Sequence, residues 1–119
     1  SNMQWIADDL KKYASDGKPV VYVQHYGFDA WALEWWTEEQ RTQLFDILEH
    51  YNLAAFFVGH THTKSVQHYR GYDIHQVNNA WRDDDGNASF DVLQIKGKRV
   101  TVETYGVLDG NGNFKRLSL

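Results

Sequence analysis

Three histidines in this chain stand where an imidazole can do chemistry: His25, His60 and His62. His25 follows closely on the apolar run Val20-Val21-Tyr22-Val23. His60 and His62 follow Leu53-Ala54-Ala55-Phe56-Phe57-Val58 and Gly59, spelled GHTH. Neutral imidazole binds zinc, iron, nickel or manganese through one ring nitrogen, at about 2.0 to 2.1 Å for zinc, and its second nitrogen needs an outer partner. Cysteine is absent, which excludes thiolate sites and a disulfide framework, so any metal would be held by histidine, carboxylate and amide groups. The competing reading is a polar turn whose histidines are hydrogen-bonded and nothing more.

The choice turns on whether the chain brings the three together. Both apolar runs are short and apolar on both parities, as expected of strands covered on both faces. Between them Thr37-Glu38-Glu39-Gln40 spells a capping box. The helix it opens carries Leu44, Ile47, Leu48 and Tyr51 at i, i+3, i+4 and i+7, with Glu38 and Glu39 in the first turn where the dipole favours negative charge. Strand, helix, strand is a β-α-β unit. Its right-handed crossover sets the two parallel strands side by side with their carboxyl ends on one edge, where open α/β sheets place ligands. Gly59 lets the backbone turn there. His62, two residues on, points the same way as His60 if the turn is extended. Three imidazoles are therefore expected to converge.

The remaining segments complete the fold class: α/β (mixed α+β), a β-α-β unit with parallel strands followed by antiparallel strands. Residues 4–15 form an amphipathic helix with Trp5, Ile6, Leu10, Tyr13 and Ala14 on one face, closed by Gly17 and Pro19. After GHTH the period becomes 2, with Val66, His68, Tyr72, Ile74 and Gln76 alternating around an Arg70-Gly71 turn. Residues 89–95 and 99–105 pair across Lys96-Gly97-Lys98. Residues 1–119 read as a single domain or a fragment of one, with a candidate boundary at 78–87, and Ser1-Asn2 as the remnant of a cleaved tag.

Residues 28–36 bring Trp31, Trp35 and Trp36 directly after His25 and Tyr26. These four aromatics are candidates for the wall of a substrate pocket that could stack on a base, a sugar or a lipid head group; the alternative is a tryptophan cluster packed against the sheet. His68 and His75 read as surface or cross-strand residues, and His50 as a cation at a helix end. Asp83-x-Asp85-x-Asn87 and Asp109-x-Asn111-x-Asn113 open like EF-hand loops. The first has Ala88 and Gln94 where that motif needs glycine and glutamate, and the second has Phe114 and then the chain end, so both read as turns.

A net charge of -4 without a lysine or arginine cluster leaves no nucleic-acid footprint. The longest apolar run, six residues, is too short to span a membrane. No compartment is indicated.

Strand-His25, helix, strand-Gly59-His60-Thr61-His62 resembles the C-terminal half of the calcineurin-like metallophosphoesterase family, whose last two motifs are a strand-end histidine and G-H-x-H. The resemblance covers most of the chain. It implies that His25 and His60 bind one metal of a two-metal centre and His62 the other, with two divalent ions (Mn, Fe or Zn). It implies that the full-length protein hydrolyses a phosphoester substrate by metal-bound hydroxide, acting as a phosphatase or other phosphoesterase. The family's D-x-H, G-D-x-x-D and G-N-H-[D/E] motifs do not occur here. Two metals about 3.5 to 4 Å apart need a bridging carboxylate, so this chain alone is expected to bind metal weakly and turn over little. Lacking the strands of the other half, it is expected to expose an apolar edge or face that invites self-association.

Two further readings compete. One is a non-catalytic α/β interaction module whose histidines are relics. The other is a mononuclear zinc hydrolase with three histidine ligands, with Asp29 or Glu34 as general base.

Overall fold

The computed structural model describes residues 2–78, 88–108 and 111–118. In chain order the elements are α1 (Asn2–Tyr13), β1 (Val20–Val23), a 3-10 turn (Trp31–Glu34), α2 (Glu38–Leu48), β2 (Leu53–Val58), β3 (Ser65–Tyr69), β4 (Tyr72–Gln76), β5 (Ser89–Lys96), β6 (Arg99–Val107) and β7 (Phe114–Leu117). Among the described residues the strands make two sheets, ordered β1-β2-β4-β3 and β5-β6-β7. β1 and β4 both run parallel to β2, whereas β3-β4, β5-β6 and β6-β7 are antiparallel. This is the mixed α+β arrangement expected from the sequence. The loop at 83–87, the proposed boundary from 79 on and the start of the loop at 109–113 lie outside the described residues.

The capping box at α2 forms as its spelling requires. Gln40 donates its backbone N–H to Thr37 Oγ1 at 3.2 Å, and Thr37 donates its own to Gln40 Oε1 at 2.8 Å. α2 then lays Leu44, Phe45 and Leu48 on the first sheet, where they are fully buried together with Phe56, Val58 and Ile74. Truncating any of these to alanine costs about 2–5 kcal/mol through lost burial and the cavity left behind. The Arg70-Gly71 turn is tight because both residues have positive φ, 50° and 82°, which suits the twist of a two-residue hairpin.

Two expectations are corrected. β2 is covered on both faces, but β1 is an edge strand with one open face, leaving Val21 37% and Val23 70% exposed. An apolar spelling reports only that a strand can be covered. The apolar face of α1 is also narrower than expected. Met3, Ile6, Leu10 and Ala14 meet the core, while Trp5 and Tyr13, one step around the helix, are exposed. β4 sits between β2 and β3, with its Ile74 and Gln76 buried. Among the described residues no helix is long and apolar enough to cross a membrane.

Candidate metal centre

The β1-β2 ladder continues past its last strand residues. Gln24 donates its backbone N–H to the Phe57 carbonyl at 3.1 Å, and Gly59 donates to the His25 carbonyl at 2.9 Å. That pairing puts two of the three histidines together, with His25 Nε2 3.2 Å from His60 Nδ1. Two nitrogens on one tetrahedral zinc ion, each about 2.0 to 2.1 Å from it, lie about 3.3 Å apart. The separation therefore suits a shared ion as well as a direct hydrogen bond. Two nitrogens make only half of a tetrahedral donor set.

His62 is placed differently. The turn is made at the histidines themselves, with φ of 80° at His60 and 61° at His62, in the left-handed region that costs an L-residue roughly 1–2 kcal/mol. Gly59 does not adopt positive φ, and a Cβ there would meet only ordinary contacts, the nearest His25 O at 3.8 Å. The backbone from His60 to His62 is thus twisted rather than extended, and His62 is exposed to solvent. Among the described residues no group of three or more histidine, aspartate or glutamate side chains could hold a metal.

Two glutamines hold this edge in shape. Gln76, buried in β4, donates from Nε2 to Thr61 Oγ1 and to the Thr63 carbonyl, the latter at 3.0 Å. Its Oε1 accepts from Gln67 Nε2 at 2.6 Å, and Gln67 Oε1 accepts the backbone N–H of Phe28 at 2.7 Å. The loop carrying His60 and His62 is so tied to the loop carrying the tryptophans. Gly27 packs closely on this network, since a Cβ there would come within 2.8 Å of Gln67 Oε1 and 3.1 Å of Val58 Cγ2. The alternation of β3 and β4 is visible in the sequence, but nothing in it shows that these two glutamines stand between the functional loops.

The aromatic candidates divide. Around the His60 ring stand Trp31 at 4.1 Å, Trp35 at 4.6 Å and Tyr26 at 4.9 Å, centroid to centroid, and Tyr26 stacks on Trp35 at 5.3 Å. Trp31 and Trp35 are about half exposed and form a wall beside the histidine pair. Trp36 instead faces the core, buried, donating its Nε1–H to the Gly27 carbonyl at 2.8 Å. Beneath it the buried Arg41 donates to the carbonyls of Phe28 at 2.9 Å and Asp29 at 2.8 Å, which anchors the loop. The Asp29 carboxylate accepts from Ala32 N at 3.1 Å and from Gln67 Nε2 at 3.4 Å. These bonds tether the 3-10 turn to Gln67 of β3. Glu34 is exposed.

Away from this edge, His68 is an exposed partner of Asp73 at 2.9 Å, and His50 lies in the turn after α2. His75 is half-buried against Phe57, and burial pushes its imidazole below the ordinary histidine range. A further pair had no sequence signal. Lys64 Nζ and the Asp91 carboxylate, 2.7 and 2.6 Å apart and both buried, join the loop after His62 to β5, with Thr104 Oγ1 donating to Asp91 at 2.7 Å.

No family model and no curated protein matches this chain. Among solved structures it is similar to wild-type Vps29 from Entamoeba histolytica in complex with zinc, at 22% identity and TM-score 0.46, covering 70% of this chain and 47% of that one. It is also similar to a single-substitution variant of the same protein, at 23% identity and TM-score 0.45, covering 75% of this chain and 46% of that one. The chain spans about half the length of these structures.

Proposed function

We propose that this chain contributes one side of a metal-dependent phosphoesterase centre. His25 Nε2 and His60 Nδ1 would hold one divalent ion (Mn, Fe or Zn), and His62 would be a ligand to a second ion whose other ligands come from outside this chain. The observation that carries the reading is the 3.2 Å approach of the two imidazole nitrogens at the shared carboxyl edge of β1 and β2. A bound ion would supply Lewis acidity toward a phosphoryl oxygen and activate water. The chain's own part is to orient the two imidazoles through the Gly59–His25 backbone bond and to wall the site with Trp31 and Trp35, which exclude water and offer an apolar face to the leaving group of a phosphoester. Because a two-ion centre needs a bridging carboxylate that these histidines do not provide, turnover by the chain alone is expected to be slight. The test is metal content after purification without chelator, with His60→Ala as the control. Equal metal in both proteins would sink the ligand assignment.

A second reading is a non-catalytic interaction module. What favours it is the open face of the β1 edge strand, where Val21 and Val23 are exposed. On that reading His60→Ala leaves partner binding intact while a charge at Val23 abolishes it.

A further inference from the structure

Asn111-Gly112 is the single Asn-Gly step in the chain. It stands in the turn that joins β6 to β7, where Asn111, Gly112 and Asn113 are all exposed. Leu108 donates its backbone N–H to the Asn113 carbonyl at 2.8 Å, which closes the turn. Gly112 has φ of 87°, and a Cβ built on it would meet nothing within 4 Å. Among the described residues its N–H has no hydrogen-bond acceptor. An asparagine side-chain amide is an electrophile, and the backbone nitrogen of the next residue is a nucleophile tethered beside it. That nitrogen attacks slowly when a following side chain crowds it or a hydrogen bond holds its proton. At Gly112 there is no side chain and the proton is unclaimed.

We propose that Asn111 is a modification site that converts spontaneously to isoaspartate, and that the conversion releases β7. The Gly112 nitrogen, giving up its proton, bonds to Asn111 Cγ, and the side-chain nitrogen leaves as ammonia. The product is a five-membered succinimide. Water then opens the ring at one of its two carbonyls. Opening at Cγ gives aspartate; opening at the former main-chain carbonyl gives isoaspartate, whose backbone runs through the side-chain carbon. One water is consumed, one ammonia is released and one negative charge is added, with nothing oxidised or reduced. None of the histidine chemistry above is involved.

Isoaspartate lengthens the main chain by one carbon inside the turn, so the Leu108–Asn113 bond and the Val107–Phe114 pair lose their register. β7 has four residues and, among the described strands, one neighbour, β6. Beyond that ladder it is held by Phe114 against Phe90 and Tyr105, at 5.5 and 5.6 Å between ring centroids, and by Leu117 lying over Gly106. A short edge strand fed by a lengthened turn opens before the rest of its sheet. Leu117 also lines the gap between the two sheets beside Val66, His75 and Val102, so release of β7 opens that gap.

The experiment is incubation of the chain at mildly basic pH, where more of the Gly112 amide is ionised, followed by peptide mass spectrometry and amide hydrogen exchange. Fragmentation that separates isoaspartate from aspartate locates the product. The expected result is a gain of one mass unit at Asn111, mostly as isoaspartate, growing with time and with pH. The neighbouring Asp109-Gly110 step can rearrange through the same ring without changing mass, so the gain assigns the event to an asparagine. The modified fraction should exchange its β7 amides faster than fresh protein, with β2 and α2 unchanged. Asn111→Gln, whose longer side chain closes the ring more slowly, should keep both its mass and its β7 protection through the same incubation. Conversion of another asparagine ahead of Asn111, or an isoaspartate form with β7 as protected as in fresh protein, would overturn the proposal. So would β7 amides that already exchange freely in both fresh wild type and Asn111→Gln, since there would then be no strand to release.

Discussion

The backbone N–H of Gly59 donates to the carbonyl of His25 at 2.9 Å, so the β1-β2 pair stays closed beyond the last residue of either strand. The bond converts two strand ends into one rigid edge. Its consequence is that the His25 and His60 rings meet although 35 positions separate them.

If that meeting is a ligand pair, zinc or manganese should stabilise the fold by mass action. At a hundred times its Kd a metal bound by the native state adds about 2.7 kcal/mol. Thermal melts should show a metal-dependent rise in Tm for the wild type and none for His25→Ala or His60→Ala. His62→Ala should keep most of the rise, since His62 stands away from the pair.

The Gln76 amide ties Thr61 and Thr63 to β4. Gln76→Leu leaves those groups without their buried partner and is expected to cost about 1–3 kcal/mol in urea denaturation. It should also weaken metal binding, because the loop that carries His60 loses its tether. Loss of stability with unchanged metal affinity would mean the backbone at His60 is held by other contacts.

Lys64 and Asp91 are buried 27 positions apart, and removing one partner leaves a charge without compensation. Asp91→Ala should destabilise by about 3–5 kcal/mol, whereas Lys64→Met combined with Asp91→Leu, which replaces the pair by apolar side chains of similar volume, should be close to neutral. Urea denaturation of Asp91→Ala, Lys64→Met and the double variant measures the coupling directly.

His75 gives the pH dependence a definite sign. Its folded pKa is depressed, first by burial, so the unfolded chain takes up the proton more readily. The unfolded state therefore binds more protons as pH falls below about 6.5, and stability should decline from there until the folded value is reached. It should be constant above that range. His75→Gln should flatten this part of the stability profile; an unchanged slope would assign it to another group.

The open face of β1 should let copies of the chain associate as concentration rises, since an uncapped apolar edge strand is a template for pairing. Light scattering after size-exclusion chromatography should show this for the wild type, and Val23→Lys should yield monomer. A wild type that is monomeric at high concentration would show that the edge is protected by its shortness.

Much of this fold was legible because its signals are local. The capping box at Thr37, the turn at Arg70-Gly71 and the period change after GHTH each rest on residues within one or two turns of each other, where backbone sterics and short hydrogen bonds decide. The pairing of His25 with His60 was legible for the same reason, since the crossover rule converts two local spellings into one shared edge.

The order of elements, the α2 core face and the meeting of those two histidines thus follow from local patterns and one crossover rule. How much of that chemistry is assembled depends on long-range packing. The left-handed twist at His60 and His62 sends the third imidazole into solvent, the order β1-β2-β4-β3 puts Gln67 and Gln76 behind the loops, and Trp36 turns inward while Trp31 and Trp35 enclose His60. None of these follows from spacing, because each depends on which distant surface fills the space next to a side chain.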